Sequence, residues 1–444
     1  MRKVISRILF VLCAVGIIGP GIALAQASIE SRKLPSSFLK GVKARTALAG
    51  DSISTFGNNK NGGKGKSSTV TIGLPGVDSI VNWSDQFIAP GFDSNGNPQT
   101  VWPYTMVGTP PESGQSTFIN APIIPMELDL LDSTGNIATF YGQPLVFKAT
   151  PDLVSALVNS PIFAPYVYDS GFGQFNDQML RTEFWNRIHP GDGDWDNGWH
   201  NFLLPSVKRG RVMQIPFNFW YFFYDANNNP VAAAVDANTF GNLLFPATYP
   251  FDNSTPVGAA EHAGDITTQT MATFFFNNVY LYEGTINNCC ILGYHTYDDE
   301  PGIPANGNRD RRYVLNYSSW ITNGLFYFGI EDITAVSHEI SETFNDPFGN
   351  NETPWWLSVD PFLGSGNCQN NLEVGDVVEV LTANEHYSAS LNGMTYHPQN
   401  MALLQWFELQ SPSTAFHGAF SFPDETTLTA PSPSNLLPGC AVAP

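Results

Sequence analysis

The stretch that decides the fold reads SHEISETFNDP over residues 337–347 and contains the motif HExxE. Asp332 is placed to cap the N-terminus of a helix, and apolar residues recur at helical spacing from Ile333 onward. Pro347 ends the run, because proline cannot continue a helix. The sequence therefore predicts a helix over residues 332–345.

This predicted helix carries the residues of a metal site. Residues four apart project from one face of a helix, so His338 and Glu342 can hold one metal ion, with zinc as the expected metal. Glu339 lies about 100° away around the helix, where it can take a proton from the attacking water. The alternative is a solvated helix with one histidine and two glutamates by chance. A glutamate as the second ligand also leaves manganese and calcium open.

A catalytic zinc requires a third protein ligand and an open position. We expect Glu373 to supply it, because it follows Glu342 by thirty-one residues, a spacing similar to that of the downstream carboxylate in other helix-based zinc peptidases. Asp346, Asp376 and His295 remain alternatives. Asp346 can instead close the helix, and a histidine at a strand end is more often structural than functional.

The order of motifs around this helix resembles the phosphate-induced, or EXORDIUM-like, proteins of plants and their secreted bacterial relatives. Those proteins have a helix of the type HELAE that ends in Asn-Pro or Asp-Pro, then an aromatic residue, then Glu-Ile-Gly-Asp and a cysteine. This chain has HExxE, Asp-Pro, two tryptophans and Glu-Val-Gly-Asp in the same order, and Cys290 with the segment 293–295 is similar to an upstream Cys and Gly-Phe-His. The resemblance covers about residues 270–410.

The resemblance implies a zincin-like domain in a secreted protein whose peptidase activity is suspected. It implies that His338, Glu339 and Glu342 lie on the family's helix, and that Glu373 lies on its Glu-Ile-Gly-Asp segment together with Asp376. The chain departs from the pattern at Val378, where the family has a cysteine. A disulfide at that position must therefore be absent or replaced by one through Cys368.

The N-terminus predicts export from the cytoplasm. A short basic region precedes an apolar stretch over residues 8–22, and the small-x-small site Ala23-Leu24-Ala25 then predicts a signal peptide over residues 1–25. The apolar stretch is short and Pro20 interrupts it, so we expect no stable membrane anchor. The protein is expected to be secreted, either extracellular or periplasmic.

Charge and cysteine content narrow the partners and the covalent structure. After removal of the signal peptide, 17 basic and 40 acidic residues give a net charge of −23, so nucleic acid is excluded as a partner. Secretion and the suspected peptidase activity make an extracellular protein or peptide the expected substrate. Four cysteines remain: Cys289, Cys290, Cys368 and Cys440. In an oxidising compartment we expect one disulfide from each adjacent cysteine to the distant pair, in a pairing that the sequence leaves open.

The predicted fold class is α+β, with a zincin-like metal-binding helix packed against a strand-rich lobe and preceded by a β-rich N-terminal region. Residues 26–68 are expected to form a linker or pro-segment, 69–265 a β-rich N-terminal lobe, 266–424 the zincin-like metal-site domain and 425–444 a Pro/Ser-rich tail. The clearest predicted strands are Phe217–Tyr224, Ala272–Leu281 and Ile291–Tyr297, and a second helix is predicted over Asn176–Ile188.

These observations favour a secreted metal-dependent hydrolase, specifically a zinc metallopeptidase that uses a metal-activated water. The alternative is a non-catalytic extracellular binding or signalling protein of EXORDIUM type. In that alternative, Trp355, Trp356 and Trp406 contact carbohydrate. Exposed tryptophans would favour the alternative, whereas core packing is the usual role of such residues.

Overall fold

The computed structural model describes most of the chain between Ile29 and Pro431. The described residues are 29–42, 45–47, 70–189, 196–246, 253–327, 329–357, 368–379 and 386–431. The predicted signal peptide, Cys440 and most of the predicted tail lie outside this part of the chain. None of the helices in the described ranges is long and apolar enough to cross a bilayer.

Thirteen strands form the largest sheet of the described chain. In chain order they are β1 (Lys33–Pro35), β2 (Arg45–Ala47), β3 (Val77–Asp78), β4 (Ser116–Leu130), β5 (Val146–Lys148), β6 (His200–Val207), β7 (Arg211–Ile215), β8 (Trp220–Tyr224), β9 (Pro230–Asp236), β10 (Met271–Asn277), β11 (Val279–Tyr282), β12 (Cys289–Glu300) and β13 (Asp310–Trp320). Their order across the sheet is β1-β8-β9-β11-β12-β13-β10-β4-β5. Strands β6 and β7 also pair with β4, β2 with β12, and β3 with β13.

The sheet is mixed in direction. Neighbours β8 and β9, β11 and β12, β12 and β13, and β4 and β5 run antiparallel, whereas β10 runs parallel to both β4 and β13. Shorter strands form small separate sheets over Thr71–Ile72, Asn82–Phe92, Pro98–Val107, Thr139–Phe140, Gln143–Pro144, Tyr166–Tyr168, Gly171–Gly173, Glu352–Leu357, Cys368–Asn371, Ala389–Leu391, Met394–Tyr396, Met401–Ala402 and Ser421–Phe422.

Seven α-helices accompany the strands in the described ranges. They are α1 (Pro151–Val158), α2 (Phe175–Glu183), α3 (Trp185–Ile188), α4 (Ala237–Leu244), α5 (Pro256–His262), α6 (Thr334–Asn345) and α7 (Leu404–Phe407). Strands and a few helices in one chain confirm the predicted α+β class. A zincin-like arrangement of the metal-binding helix remains a proposal.

Strand β10 shows why the sheet is buried on both faces. Side chains alternate between the two faces of a strand, and here both sets are apolar. Met271 and Phe275 belong to one core, which also contains the apolar residues of α6, whereas Ala272, Phe274 and Phe276 belong to a second core that contains residues of α4 and α5. Helix α6 therefore lies on one face of the sheet, and α4 and α5 lie on the other.

Most predicted elements are found close to their predicted positions. The predicted strand Ala272–Leu281 is divided into β10 and β11 at Asn278, whose backbone adopts a positive φ of 51°. The predicted helix Asn176–Ile188 is observed as α2 and α3, which meet at Phe184. The predicted helix around HExxE is α6, two residues shorter at its N-terminus than predicted.

The predicted helix cap at Asp332 is wrong. Asp332 has a φ of 41°, and the residue that precedes α6 is Ile333, which makes no side-chain cap. The Asp332 carboxylate instead accepts hydrogen bonds from the backbone N–H of Ile333 at 2.5 Å and from His397, through its backbone N–H at 2.8 Å and Nδ1 at 2.7 Å. Asp332 therefore ties the start of α6 to a distant loop.

The expected domain divisions fall within one continuous sheet. Within the segment expected to be a linker or pro-segment, β1 pairs in parallel with β8, β2 pairs with β12, and Leu39 is fully buried. Of that segment, residues 26–28, 43–44 and 48–68 lie outside the described residues. The expected boundary at residue 265 separates β4 from β10, yet these two strands are hydrogen-bonded neighbours.

The predicted disulfide pattern is also wrong for the adjacent cysteines. Cys289 and Cys290 are bonded to each other across a cis peptide, with their Cα atoms 3.0 Å apart. Cys368 is disulfide-bonded as well.

Candidate metal centre

Helix α6 is buried along its entire length, although eight of its twelve residues are polar. All twelve residues from Thr334 to Asn345 are buried, and the helix packs against β12 and β13. Its apolar residues, such as Val336 and Ile340, belong to the core beneath the sheet. Its polar face meets the segment 372–376 and the side chain of His295 from β12. Buried polar groups normally have hydrogen-bond partners, so each polar group on this face is expected to have one.

His338 is oriented by a distant amide. Its Nδ1 lies 3.0 Å from Oε1 of Gln399, and Nε2 of Gln399 donates to the carbonyl of Gly375 at 2.8 Å. This network assigns the proton to Nδ1 and leaves the lone pair on Nε2. Nε2 faces Oε1 of Glu342 at 2.9 Å and Oδ1 of Asp376 at 3.3 Å. Metal-binding histidines commonly have their other nitrogen held in this way.

These spacings suit a small divalent cation. Zinc ligands at about 2.0–2.1 Å in a tetrahedron lie about 3.4 Å from one another. The ligand atoms of His338, Glu342 and Asp376 all lie within 4.8 Å of each other, and all three residues are buried. The two ligands expected on the helix, His338 and Glu342, are therefore adjacent, and Asp376 lies beside them.

Glycine at position 375 allows the loop to approach the ring of His338. A Cβ atom at Gly375 would lie 2.5 Å from the imidazole, closer than real Cβ contacts occur. The N–H of Gly375 also donates to Oε1 of Glu342 at 3.1 Å. The glycine in Glu-Val-Gly-Asp therefore brings the backbone against both helix ligands.

The expected third ligand, Glu373, lies on the other side of Glu342. It is fully buried, and its Oε2 is 3.9 Å from Nε2 of His295. His295, Glu342 and Glu373 form a second group whose ligand atoms lie within 4.8 Å of each other. The structure thus groups Glu373 with His295, and Asp376 with His338, while Glu342 belongs to both groups.

Asp346 has a structural role. Its carboxylate accepts the backbone N–H groups of Asn350 at 2.9 Å and Asn351 at 3.1 Å, directly after α6. Its carbonyl lies 3.1 Å from Nε2 of His295. Of the alternatives considered for the third ligand, Asp346 closes the helix, whereas Asp376 and His295 face the centre.

Glu339 is fully buried and lacks hydrogen-bond donors among the described residues, for either of its carboxylate oxygens. Its Oε2 is 3.6 Å from Nδ1 of His295. Gly293 makes room for it, because a Cβ there would lie 2.6 Å from Oε1 of Glu339. Burial raises the pKa of Glu339 to about 7, although the nearby His295 and His338 act to lower it. A carboxylate with this pKa can exchange protons near neutral pH.

The neighbouring ionisable groups are strongly perturbed. Burial and the negative charge of Glu342 raise the pKa of Glu373 well above its ordinary value. Burial opposes the charged form of His338, but the carboxylates of Glu342, Asp376 and Glu339 together outweigh burial and raise the pKa of the imidazole. Burial likewise acts to raise the pKa of Glu342, but the imidazoles of His338 and His295 together outweigh burial and lower it. These opposed shifts are typical of a functional site.

The charge balance of the centre also fits a cation. Both oxygens of Glu373, both oxygens of Glu339 and Nδ1 of His295 are buried without a hydrogen bond from the described residues. The sequence contains no Lys or Arg after Arg312, although it contains fourteen Asp and Glu residues there. Buried carboxylates without a cationic partner favour metal coordination or protonation.

No family model, curated protein or solved structure matches this chain. The resemblance to EXORDIUM-like proteins therefore stays a prediction from the motifs. The residue that the sequence analysis missed is Gln399, sixty-one positions after His338. No motif marks it, because glutamine is not a usual metal ligand. The absence of basic residues after Arg312 is the sequence signal that could have strengthened the metal prediction.

Proposed function

We propose that this protein is a secreted metal-dependent hydrolase, specifically a zinc peptidase. The observation that carries the proposal is the carboxylate of Glu339, which is buried without a hydrogen-bond donor from the described residues and lies beside two oriented histidines. A buried carboxylate of this kind costs stability unless a ligand or a proton compensates it. In metal hydrolases, a glutamate at this position of the motif serves as the general base.

The residues that would hold the zinc ion are His338, Glu342 and Asp376. Their atoms have spacings close to those of zinc ligands, and Gln399 holds the His338 ring in the tautomer that a ligand needs. Glu373, the ligand expected from the sequence, would act nearby through its contact with His295. When bound, zinc supplies Lewis acidity toward water and the scissile carbonyl.

Glu339 would hold and move the proton. It would accept a proton from the attacking water and return it to the leaving amine, as a general base and then a general acid. A glycine would be required at position 293, because the Cβ of any other residue would clash with the Glu339 carboxylate.

The proposed location and the proposed substrate class rest on the sequence. The signal-peptide pattern supports secretion, and the resemblance to EXORDIUM-like proteins supports an extracellular role. An extracellular protein or peptide is the proposed substrate, since the strongly acidic chain disfavours nucleic acid.

A second candidate is a non-catalytic extracellular protein in which the metal stabilises the fold. Complete burial of the candidate ligands among the described residues favours this function, because a hydrolase must admit its substrate. A carbohydrate site built on the tryptophans receives no support: Trp356 and Trp406 are each 1% exposed, and the half-buried Trp355 donates to the carbonyl of Asp93 at 3.3 Å.

Cleavage assays on matched variants test the proposal. Purified protein is loaded with zinc and incubated with casein and with a library of peptides, and new termini are identified by mass spectrometry. We expect Glu339→Gln to retain its zinc and lose at least about a thousandfold in cleavage rate, as for loss of a general base and its charge. Glu425→Gln, a surface change beside His417, serves as the control.

Two outcomes would count against the proposal. Cleavage that persists in Glu339→Gln would remove the assigned role of that residue. Zinc-loaded wild-type protein that cleaves nothing in either substrate set would favour the non-catalytic candidate.

A further inference from the structure

Glu342 is the carboxylate on which the two groups of candidate ligands converge. Its Oε1 faces Nε2 of His338 at 2.9 Å, and its Oε2 faces Nδ1 of His295 at 3.4 Å. The two oxygens of one carboxylate therefore face two different imidazoles. Carboxylates that bridge two metal ions use their oxygens in this way, whereas a carboxylate on one ion needs only one of them.

His295 has the orientation of a metal ligand. Its Nε2 lies 3.1 Å from the backbone carbonyl of Asp346, which accepts the proton and fixes the tautomer. Its Nδ1 therefore carries the lone pair. The ring is fully buried, and Nδ1 lacks a hydrogen-bond partner among the described residues. A backbone carbonyl on one ring nitrogen and an open lone pair on the other are the pattern of a metal-binding histidine.

Glu373 completes this second group. It is fully buried, and neither of its oxygens accepts a hydrogen bond from the described residues. Its Oε2 lies 3.9 Å from Nε2 of His295, and the ligand atoms of Glu373, His295 and Glu342 all lie within 4.8 Å of one another. An ion in the His338 group alone would leave both oxygens of Glu373 buried without a hydrogen-bond partner among the described residues, which is costly.

We propose that the centre holds two divalent cations, one held by His338, Glu342 and Asp376 and the other by His295, Glu342 and Glu373. Glu342 bridges the two ions. The proposal rests on the proposed function and extends it to a two-metal hydrolase site. Four buried carboxylates, those of Glu339, Glu342, Glu373 and Asp376, carry four negative charges when ionised, and two divalent cations neutralise them.

Metal counting on the full-length protein tests the proposal. The protein is stripped with a chelator, reloaded with excess zinc, desalted and measured by elemental analysis. We expect wild type to keep one zinc ion more than Glu373→Gln, which preserves size and removes the charge. His295→Ala is expected to match Glu373→Gln, and the surface variant His417→Ala is expected to match wild type. Equal zinc content in wild type, Glu373→Gln and His295→Ala would overturn the second ion.

A measurement on wild type covers the case in which these variants do not fold. Manganese is titrated into metal-free wild-type protein and followed by electron paramagnetic resonance. A spin-coupled signal at two ions per chain is expected, because a shared carboxylate holds the ions close together. Uncoupled signals, or saturation at one ion per chain, would overturn the proposal. The count is independent of the proposed function: cleavage with a single ion refutes only the second ion, and two coupled ions without cleavage refute only the peptidase.

Discussion

Asp177 on helix α2 and Glu339 on helix α6 are buried carboxylates in the same interior, and the fold satisfies them differently. Every residue of both helices is buried, and they touch where Nδ2 of Asn176 donates to Oγ of Ser341 at 2.7 Å. On α2, the carboxylate of Asp177 accepts the backbone N–H of Asn201 at 2.8 Å and contacts Nδ1 of His200 at 3.0 Å. On α6, the carboxylate of Glu339 accepts no hydrogen bond from the described residues.

The difference separates a structural carboxylate from one that awaits a ligand. Asp177 is surrounded by donors of its own chain, so its burial is compensated within the fold. Glu339 is buried to the same degree without such donors, which is costly for a charged group. Asp177 therefore joins α2 to β6 through Asn201, whereas Glu339 is the group that we propose acts beside a bound cation.

The largest expected stability effect lies at Asp177. Asp177→Ala leaves the N–H of Asn201 and the ring of His200 without their acceptor, so we expect the free energy of unfolding to fall by about 3 kcal/mol. Urea denaturation followed by circular dichroism measures it, with the exposed Asp152→Ala as the control. Zinc content should not change. A loss below about 1 kcal/mol would show that the donors around Asp177 are not what compensates it.

Gly375→Ala tests the other half of the comparison, the residues that are proposed to hold the metal. The new Cβ would lie 2.5 Å from the His338 ring and must displace it. We expect zinc affinity to fall by about 10–100-fold, the usual effect of disturbing a residue that positions a ligand. Competition with a chromophoric chelator measures the affinity. Gly41→Ala is the control, because a Cβ there meets no atom within 4 Å; equal affinities in the two variants would refute the close approach.

Glu261 and Asp298 show a third way to bury carboxylates. Burial and the negative charge of Asp298 raise the pKa of Glu261 to about 9, and burial raises the pKa of Asp298 to about 7. The folded protein therefore keeps protons that the unfolded chain releases. The resulting stability is present below pH about 4.3 and is lost as pH rises through 7 and 9.

Glu261→Gln removes part of this pH dependence. Wild-type unfolding free energy should fall between pH 5 and 9, and the variant should lose about 1–2 kcal/mol less over that range, since glutamine stays neutral. Denaturation of zinc-loaded protein at several pH values provides the curve. Parallel curves for the two proteins would mean that Glu261 is ionised throughout.

The smallest expected stability effect is at Glu339. In metal-free protein, Glu339→Gln removes a buried charge without breaking a hydrogen bond to any described residue, so stability should stay the same or rise by about 1 kcal/mol. Thermal and urea denaturation measure it beside Asp177→Ala. If Glu339→Gln destabilises the protein as much as Asp177→Ala does, the distinction between the two carboxylates fails.

The sequence was informative where the chemistry is local. The helix around HExxE, the strands near residues 220, 272 and 291, and the adjacency of His338 and Glu342 follow from spacing along the chain. The assignment of Glu373 and Asp376 to different histidines does not, because it depends on how the 372–376 loop folds around Gly375. Gln399 was equally hidden, since it reaches His338 from sixty-one residues away.

Neither the disulfide between Cys289 and Cys290 nor the continuous sheet could be predicted from the sequence, and the reasons are similar. Neighbouring cysteines usually pair with distant ones, and the cis peptide that joins this pair has no sequence signature. The composition of residues 26–68 indicates a linker, yet β1 gains its stability from pairing with β8, a partner nearly two hundred residues away. Long-range pairing of this kind is not encoded in local periodicity.

The most direct test of the central claim is the metal content of purified protein, measured for wild type beside His338→Ala and the surface variant His417→Ala. The account predicts bound zinc in wild type and in His417→Ala, and a loss of at least one ion per chain in His338→Ala. Protein that retains no zinc after reloading, or equal zinc in all three proteins, would contradict a metal centre on this helix.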